Sequence, residues 1–328
     1  MKRILIIRLT ALGDVLLATP LLRALRRANP DAHIDWLVDG ALVPLLSQNP
    51  ALTRAIAATP GGREKLFEQR YDLVIDLQNK PRTAWLRVQL RGRQTLVLRK
   101  RSLGRALASL FGRDPPERGP NAVDRNLALL EPLGIPPQGR ELDLPLSSIG
   151  STEVAAFFGT ARGTSRAPIG LAPGARWATK RWPHFAALAR ELAGRGHRLV
   201  LLGGPGDGRE LDALIVAAGD ACVGDTRLLS VAGLAAAIAG CSAIVTNDSG
   251  TSHIAAAVGT PALVLFGPTS PERWTPPGRA IRVLSHHLSC SPCSNHGSAA
   301  CPLGTHACLK DLAVDEVLAA LPGPGGNA

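Results

Sequence analysis

The 328-residue sequence contains no stretch near the roughly 20 consecutive apolar residues that a transmembrane helix needs. Aromatic residues are also scarce, at 4 % of the chain, although hydrophobic residues make up 45 %. The absence of a long apolar stretch excludes a membrane-spanning helix. The scarcity of aromatic residues indicates a globular core built mainly from Ala, Leu and Val. The N-terminal segment MKRILIIRL resembles a secretion signal, but Arg8 and Asp14 interrupt its apolar run, so we expect a cytoplasmic protein.

Acidic residues are missing between Asp76 and Asp114, where ten lysines and arginines occur. Residues 1–145 hold 23 Lys/Arg and 14 Asp/Glu, so they carry +9 of the formal net charge of +11. A field of one sign attracts a polyanion such as an anionic membrane surface or a phosphorylated substrate. Nucleic acid is not the expected partner, because residues 78–105 offer a single Trp and no Tyr or Phe for base stacking. The alternative is an arginine-rich composition with solvated helix faces.

Apolar runs alternate with amphipathic segments, which is the βα pattern of a parallel sheet. We predict an α/β protein with two successive doubly wound domains, 1–160 and 161–321, and a disordered tail, 322–328. The boundary falls in a Ser-, Gly- and Pro-containing segment, 144–168. Predicted strands are 3–8, 33–38, 72–76, 94–98, 168–172, 197–203, 221–223, 243–247, 262–266 and 280–284; predicted helices are 14–28, 182–195 and 228–240.

A carboxylate follows a glycine where the first strand turns into the first helix, at Gly13-Asp14 in RLTALGDVLL. Ligands of open α/β sheets bind at this edge. Dinucleotide-binding turns there carry the pattern G-x-G-x-x-G, which is absent from the first-domain turns. This absence argues against a dinucleotide-dependent oxidoreductase and leaves the acid at position 14 to be explained.

The segment IVTNDSGTSHIAAAVGTPALVLFGPTSPERW (244–274) places two polar strand ends at one sheet edge. The first lies at a helix start, whose N–H groups and dipole form an anion site. Lys180, before a predicted helix, and Asp207, after a predicted strand, are expected at the same edge, where a lysine neutralises a departing phosphate and an acid binds a ribose hydroxyl. For any one residue, ordinary capping or a surface position is the alternative. The first polar cluster consists of Asp248, Ser249, Gly250, Thr251, Ser252 and His253.

Four cysteines, Cys290, Cys293, Cys301 and Cys308, lie within 19 residues near the C-terminus. In a cytosolic protein this spacing suggests a structural zinc or iron–sulfur site more readily than disulfides. A redox-sensitive pair and packed free thiols are the alternatives. We expect no catalytic role, because the motif follows the last strand.

The quoted segments, together with LAPGARWATKRWP and CSPCSNHGSAACPLGTHACLKDLAVDEVLAAL, resemble the ADP-heptose:lipopolysaccharide heptosyltransferases over nearly the full length. The resemblance implies a GT-B fold, in which two Rossmann-like domains face a cleft, with the acceptor on the first and the donor on the second. It also implies inversion at the anomeric carbon and no catalytic metal or cofactor. The implied acceptor is a Kdo or heptose hydroxyl of the lipopolysaccharide inner core, met at the cytoplasmic face of the inner membrane. The four-cysteine tail resembles the heptosyltransferase II branch.

The resemblance also assigns roles to residues. Asp14 falls on the catalytic base, Gly13 beside it on an acceptor-binding position, and Lys180 on the residue that stabilises the diphosphate leaving group. Arg82 falls on a basic position near the acceptor. Where some members have two threonines near the phosphates, this chain has Ala175 and Arg176. On the donor side, the implied contacts are Asp207 with ribose, Leu229 with adenine, and Asp248, Ser249, Gly250, Thr251, Ser252 and His253 with diphosphate and heptose.

Two further hypotheses keep this fold. One is a transferase that uses another nucleotide sugar for a different surface glycan. The other is a non-catalytic nucleotide-sugar-binding module. Asp14 and Lys180 argue against the second, because a pure binder needs neither a base nor a cation at the leaving group.

Overall fold

The computed structural model describes residues 1–90, 92–99, 119–146, 152–154 and 167–321. Residues 1–90, 92–99 and 120–145 form one compact unit, unit 1, whereas 119, 146, 152–154 and 167–321 belong to a second, unit 2. The predicted boundary at 160/161 and the predicted tail 322–328 lie outside the described residues. No helix of the described ranges is long and apolar enough to cross a membrane.

Unit 1 is built on a five-stranded sheet. Its strands are β1 (Arg3–Ile7), β2 (His33–Val38), β3 (Arg54–Ala57), β4 (Leu73–Asp76) and β5 (Gln94–Val97). All pairs are parallel, in the order β3-β2-β1-β4-β5. The order reverses between β1 and β4, so the carboxyl ends of these two strands form the switch point where α/β sheets bind ligands.

The helices of unit 1 surround this sheet. They are α1 (Leu12–Leu16), α2 (Thr19–Ala28), α3 (Val43–Leu46), α4 (Pro60–Phe67), α5 (Pro81–Leu90) and α6 (Ala122–Leu127). The predicted single helix 14–28 is wrong, since α1 and α2 are separate. Pro20 has no N–H for the Leu16 carbonyl, which instead accepts a hydrogen bond from the Thr19 hydroxyl at 2.8 Å.

Unit 2 is built on a six-stranded parallel sheet. Its strands are β6 (Ile169–Ala172), β7 (Leu199–Leu201), β8 (Cys222–Asp225), β9 (Ala243–Asn247), β10 (Ala262–Phe266) and β11 (Ile281–Ser285). Their order is β11-β10-β9-β6-β7-β8, so the switch point lies between β6 and β9. The core beneath it includes Leu171, Val245 and Leu265, all almost completely buried.

The helices of unit 2 alternate with these strands. They are α7 (Phe185–Gly194), α8 (Gly208–Ala218), α9 (Val231–Ala239), α10 (Gly250–Val258), α11 (Pro271–Trp274), α12 (Ala307–Lys310) and α13 (Val314–Ala320). Short 3-10 helices at Ala178–Lys180 and Pro205–Asp207 follow β6 and β7. The predicted α/β fold class is confirmed, with β and α elements alternating in both units.

Candidate active site

Asp14 lies in α1, directly after the carboxyl end of β1. Its carboxylate is ion-paired with Arg8, and its Oδ2 accepts a hydrogen bond from the Ala11 N–H at 3.3 Å. The Arg8 side chain is 6 % exposed, whereas that of Asp14 is 28 % exposed. The pair therefore has a buried cation beneath a carboxylate that solvent can reach.

The Arg8 guanidinium is fixed from the neighbouring strand. Its Nη1 donates to the Leu77 carbonyl at 2.5 Å, just beyond the end of β4. The Arg8 carbonyl accepts from the Trp36 indole N–H at 3.3 Å. Sequence reasoning treats Arg8 only as an interruption of an apolar run. Its role as the partner of Asp14 depends on a turn that folds position 14 back over position 8.

The turn after β4 supports the turn after β1. Gln78 Oε1 accepts from the Leu9 N–H at 3.1 Å. Asp76, which is fully buried, accepts from the N–H groups of Gln78 at 2.9 Å and Asn79 at 2.8 Å and is ion-paired with Arg87. The two strand ends at this switch point therefore form one hydrogen-bonded network, with Asp14 at its surface.

Arg82 lies on the exposed face of α5. Its Nη2 donates to the Ala58 carbonyl at 3.1 Å. It lines a shallow surface hollow together with Arg63, Leu86 and the exposed Trp85. Two guanidinium groups beside an aromatic face suit a sugar that carries carboxylate or phosphate groups. Of the other basic residues in the acid-free stretch, Arg91, Lys100, Arg101, Arg105 and Arg113 lie outside the described residues.

In unit 2, Lys180 and Asp248 meet at the switch point. Lys180 ends the 3-10 helix after β6, and Asp248 follows β9. The Lys180 Nζ lies 2.7 Å from Asp248 Oδ2, and the two side chains are 15 % and 6 % exposed. The same Oδ2 accepts from the Thr269 hydroxyl at 2.6 Å. The prediction that Lys180 and Asp248 share one sheet edge is confirmed, whereas Thr269 is a partner that sequence reasoning does not assign.

The N-terminus of α10 follows Asp248 directly. Ser249 is its N-cap residue but makes no side-chain capping hydrogen bond. Its hydroxyl instead lies 2.8 Å from that of Thr251, which lies 2.6 Å from that of Thr246. The helix therefore begins with backbone N–H groups that its N-cap side chain does not satisfy, and such N–H groups bind anions.

The other members of the predicted polar cluster lie in the first turn of α10. Gly250 is its first residue, and Ser252 and His253 are buried, at 0 % and 5 % exposure. The Ser252 hydroxyl donates to the Ser249 carbonyl at 2.7 Å, so this side chain stabilises the first turn of α10.

Asp207 lies at the end of the 3-10 helix after β7. Its Oδ2 accepts from the Gly204 N–H at 2.9 Å. The carboxylate packs against Gly174, just after β6, where a Cβ atom would overlap it. It is therefore held at the sheet edge that also carries Lys180.

Leu229 is half-buried and precedes α9, which begins at Val231. The helix predicted from 228 starts later because Ser230 is the N-cap residue, accepting from the Gly233 N–H at 3.0 Å. Ala175 is buried, and Arg176 is exposed with its guanidinium 5.7 Å from the centre of the Trp177 ring.

All four cysteines of the C-terminal motif are free thiols. Among the described residues, no group of three or more His, Cys, Asp or Glu side chains is arranged to hold a metal ion. The predicted structural metal at Cys290, Cys293, Cys301 and Cys308 thus receives no support from the structure.

The environments of these thiols differ. Burial, followed by the neighbouring cysteines, raises the pKa of Cys308 to about 11. Burial also raises the pKa of Cys293. Burial acts in the same direction on Cys301, but hydrogen bonds from the N–H groups of residues 303, 304 and 306 and from the 305 hydroxyl outweigh it and lower its pKa.

Known proteins share this fold over the whole chain. The structure of ADP-heptose lipopolysaccharide heptosyltransferase II from Escherichia coli matches with a TM-score of 0.75 and 29 % identity, covering 98 % of this chain and 97 % of that one. The E. coli heptosyltransferase WaaC with ADP-2-deoxy-2-fluoro heptose, at 24 % identity and a TM-score of 0.67, shows the same fold. The protein is thus a glycosyltransferase of the GT-B class.

Sequence comparison gives the family. The model of glycosyltransferase family 9 (heptosyltransferase) matches residues 62–303, and the chain belongs to this family. Lipopolysaccharide heptosyltransferase 1 of Pseudomonas aeruginosa is 32 % identical, covering 89 % of this chain and 86 % of the relative. Lipopolysaccharide heptosyltransferase 2 of E. coli K12 is also 32 % identical, covering 96 % of each. These two relatives, one of each branch, are equally identical to the chain.

Proposed function

We propose that this enzyme transfers heptose from ADP-heptose to a hydroxyl of the lipopolysaccharide inner core, with inversion at the anomeric carbon. The observation that carries the proposal is the Lys180–Asp248 pair at the start of α10 in a member of the heptosyltransferase family. Relatives named lipopolysaccharide heptosyltransferases, and a solved relative that binds an ADP-heptose analogue, support this donor and acceptor.

In the proposed reaction, Asp14 is the base. It takes the proton of the acceptor hydroxyl while that oxygen attacks the anomeric carbon. The bond from the anomeric carbon to the donor phosphate breaks, and its electron pair leaves with ADP. A positioned base contributes a factor of about 10²–10⁴ to the reaction rate. Arg8 positions this base, because its buried guanidinium is ion-paired with the carboxylate and fixes Oδ2. Gly13, which is buried beside Asp14 in the same helix, belongs to the acceptor-binding side of this turn.

The donor is assigned to unit 2. Backbone N–H groups at the start of α10, with Ser249, Gly250 and Thr251, bind the diphosphate, and Lys180 stabilises the charge that develops on it. Asp248 holds the lysine ammonium at this position. Ser252 and His253 complete the first turn that faces the sugar phosphate. Asp207 takes the ribose hydroxyls and Leu229 packs on adenine. Every proposed step uses side chains and backbone N–H groups of this chain.

The acceptor is assigned to unit 1. Arg82, with Arg63 and Trp85 around the same hollow, binds the carboxylate or phosphate groups of the inner core. Because that acceptor is anchored in lipid, we place the enzyme at the cytoplasmic face of the inner membrane, in peripheral contact with it. The net charge of +9 on residues 1–145 favours an anionic surface.

Donor-dependent release of ADP tests the proposal. The purified enzyme is incubated with ADP-heptose, with and without heptose-deficient lipopolysaccharide, and in parallel with other ADP- and UDP-sugars. We expect release that depends on both ADP-heptose and the acceptor. Release only from another nucleotide sugar would overturn the donor assignment, and release independent of lipopolysaccharide would overturn the acceptor assignment.

A further inference from the structure

The loop after β11 contacts the turn that supports Asp248. The N–H groups of Cys293 and Ser294 both donate to the Pro268 carbonyl at 2.9 Å. The Ser291 hydroxyl donates to the Gly267 carbonyl at 2.5 Å. The next residue along, Thr269, is the one whose hydroxyl binds the Asp248 carboxylate. This loop therefore braces one side of the Lys180–Asp248 pair.

The same loop binds the 3-10 helix that carries Lys180. Thr179, 4 % exposed, donates through its N–H and its hydroxyl to the Ser298 carbonyl, at 3.2 and 2.9 Å. Its hydroxyl accepts from the Ser298 N–H at 2.8 Å. His306 Nε2 lies 2.8 Å from the Thr179 carbonyl. Ser298 and His306 thus bind the N–H, hydroxyl and carbonyl groups of Thr179, the residue before Lys180.

Gly297 lies against the Lys180 side chain itself. A Cβ atom at this position would be 2.9 Å from both Cγ and Cδ of Lys180 and from Cβ of Trp177. Its φ of +92° also favours glycine. Ser294, which is buried, fixes this conformation by accepting from the Gly297 N–H at 3.0 Å. The backbone of Gly297 therefore forms the wall along which the lysine stem runs toward Asp248.

We propose that Gly297 and Ser298 are positioning residues, which set the place of the Lys180 ammonium from within the loop that carries Cys290, Cys293 and Cys301. The proposal rests on the proposed role of Lys180. Under this proposal, the segment that follows the last strand contributes to turnover, although the segment supplies no reacting group. Lysine has a flexible four-carbon stem, so an ammonium placed by one carboxylate alone keeps a choice of stem conformations. The wall at Gly297 removes that choice.

The test compares two glycines of the same loop. Gly297→Ala places a methyl group against the Lys180 stem, whereas Gly304→Ala, at φ +71° with open space around it, imposes the backbone strain alone. We expect Gly297→Ala to lower kcat for acceptor-dependent ADP release by about 10-fold or more, because small misplacements of a reacting group are costly. Gly304→Ala stays within about 2-fold, and the KM for the donor changes less than kcat in both variants.

A double-mutant cycle separates positioning from general damage. In the Lys180→Ala background, Gly297→Ala should cause no further loss, since the group it displaces is gone. Losses that multiply in the double variant would overturn the proposal, as would equal kcat values for Gly297→Ala and Gly304→Ala. If Lys180→Ala itself turns over normally, both the role of Lys180 and the positioning role are wrong. If only Lys180→Ala is slow, the role of Lys180 stands and the positioning role is wrong.

A second pair of variants covers the case in which Gly297→Ala does not fold. Thr179→Val removes the hydroxyl that binds Ser298 in both directions, and Thr179→Ser retains it. We expect the valine variant to lower kcat and the serine variant to restore it. Similar kcat values for the two would contradict the proposal.

Discussion

The Lys180–Asp248 pair predicts an unequal response to the loss of each partner. The change is Lys180→Met, which keeps the length of the stem, compared with Asp248→Asn, which keeps the shape of the carboxylate. Lys180 retains a route to water, since its side chain is 15 % exposed, whereas the Asp248 side chain is 6 % exposed. Loss of Lys180 therefore leaves a buried carboxylate without its counter-ion, whereas loss of the Asp248 carboxylate leaves an ammonium that water can reach.

The magnitude follows from burial. Without Lys180, the Asp248 carboxylate keeps the Thr269 hydroxyl as a partner but loses its counter-ion; removing one partner of a buried pair costs about 3–5 kcal/mol. Without the carboxylate, the amide of the asparagine variant still binds Thr269, and water solvates the exposed end of the Lys180 side chain while its stem stays along Gly297. We expect a cost of about 1–2 kcal/mol for that variant, in the range of one lost charge-assisted hydrogen bond.

Urea denaturation of the two single variants and the double variant measures these costs. The double variant should be close in stability to Asp248→Asn, because its methionine no longer faces a buried charge. Both single variants should lose turnover, since Lys180→Met removes the ammonium and Asp248→Asn removes the carboxylate that holds it at the leaving group. A stability of Lys180→Met within about 1 kcal/mol of the wild type would refute the argument that Asp248 is a buried, counter-ion-dependent carboxylate.

Three further predictions test other parts of the account. Arg82→Gln should raise the KM for the lipopolysaccharide acceptor and leave that for ADP-heptose unchanged, whereas Arg70→Gln, a matched loss of an exposed charge, changes neither; equal effects would remove the acceptor assignment. In timed alkylation with mass-spectrometric mapping, Cys301 should react before Cys308. The lowered pKa of Cys301 gives it more of the reactive thiolate, whereas burial raises the pKa of Cys308 and limits access of the reagent. The reverse order would contradict these thiol environments. Tyr71 is the one tyrosine of the chain, and burial, followed by its hydrogen bond to Asp35, raises its pKa. The neutral phenol therefore contributes to the stability of unit 1 in full below the ordinary tyrosine pKa of about 10, and this contribution is lost as the pH rises further. Phenolate absorbance should thus appear only together with unfolding, and phenolate absorbance of the folded protein near pH 10 would contradict this.

Much of the sheet architecture is predictable because buried parallel strands are continuous apolar runs. β1, β9 and β10 follow from such runs, and each is fully buried or nearly so. The edge strand β3 is not predicted, since it has four residues, begins with Arg54 and is half-buried. A short edge strand leaves too little apolar pattern to be recognised.

The site is predictable to the level of the sheet edge. The position of a polar residue just after a strand places it at the carboxyl end, which brings Asp14, Lys180 and Asp248 to their switch points. The partners of these residues are not predictable in the same way. Arg8 and Thr269 act through turn geometry, and the wall at Gly297 depends on a backbone angle that no residue pattern before it indicates.

The central claim is that Asp14 is the base of an ADP-heptose-dependent transfer. The most direct measurement is acceptor-dependent ADP release by Asp14→Asn, with Asp31→Asn as a control for the loss of an exposed carboxylate in the same unit. We expect Asp14→Asn to bind ADP with unchanged affinity and to lose about 10²-fold or more in kcat, while the control keeps wild-type turnover. Transfer by Asp14→Asn at a rate near that of the wild type would contradict the account.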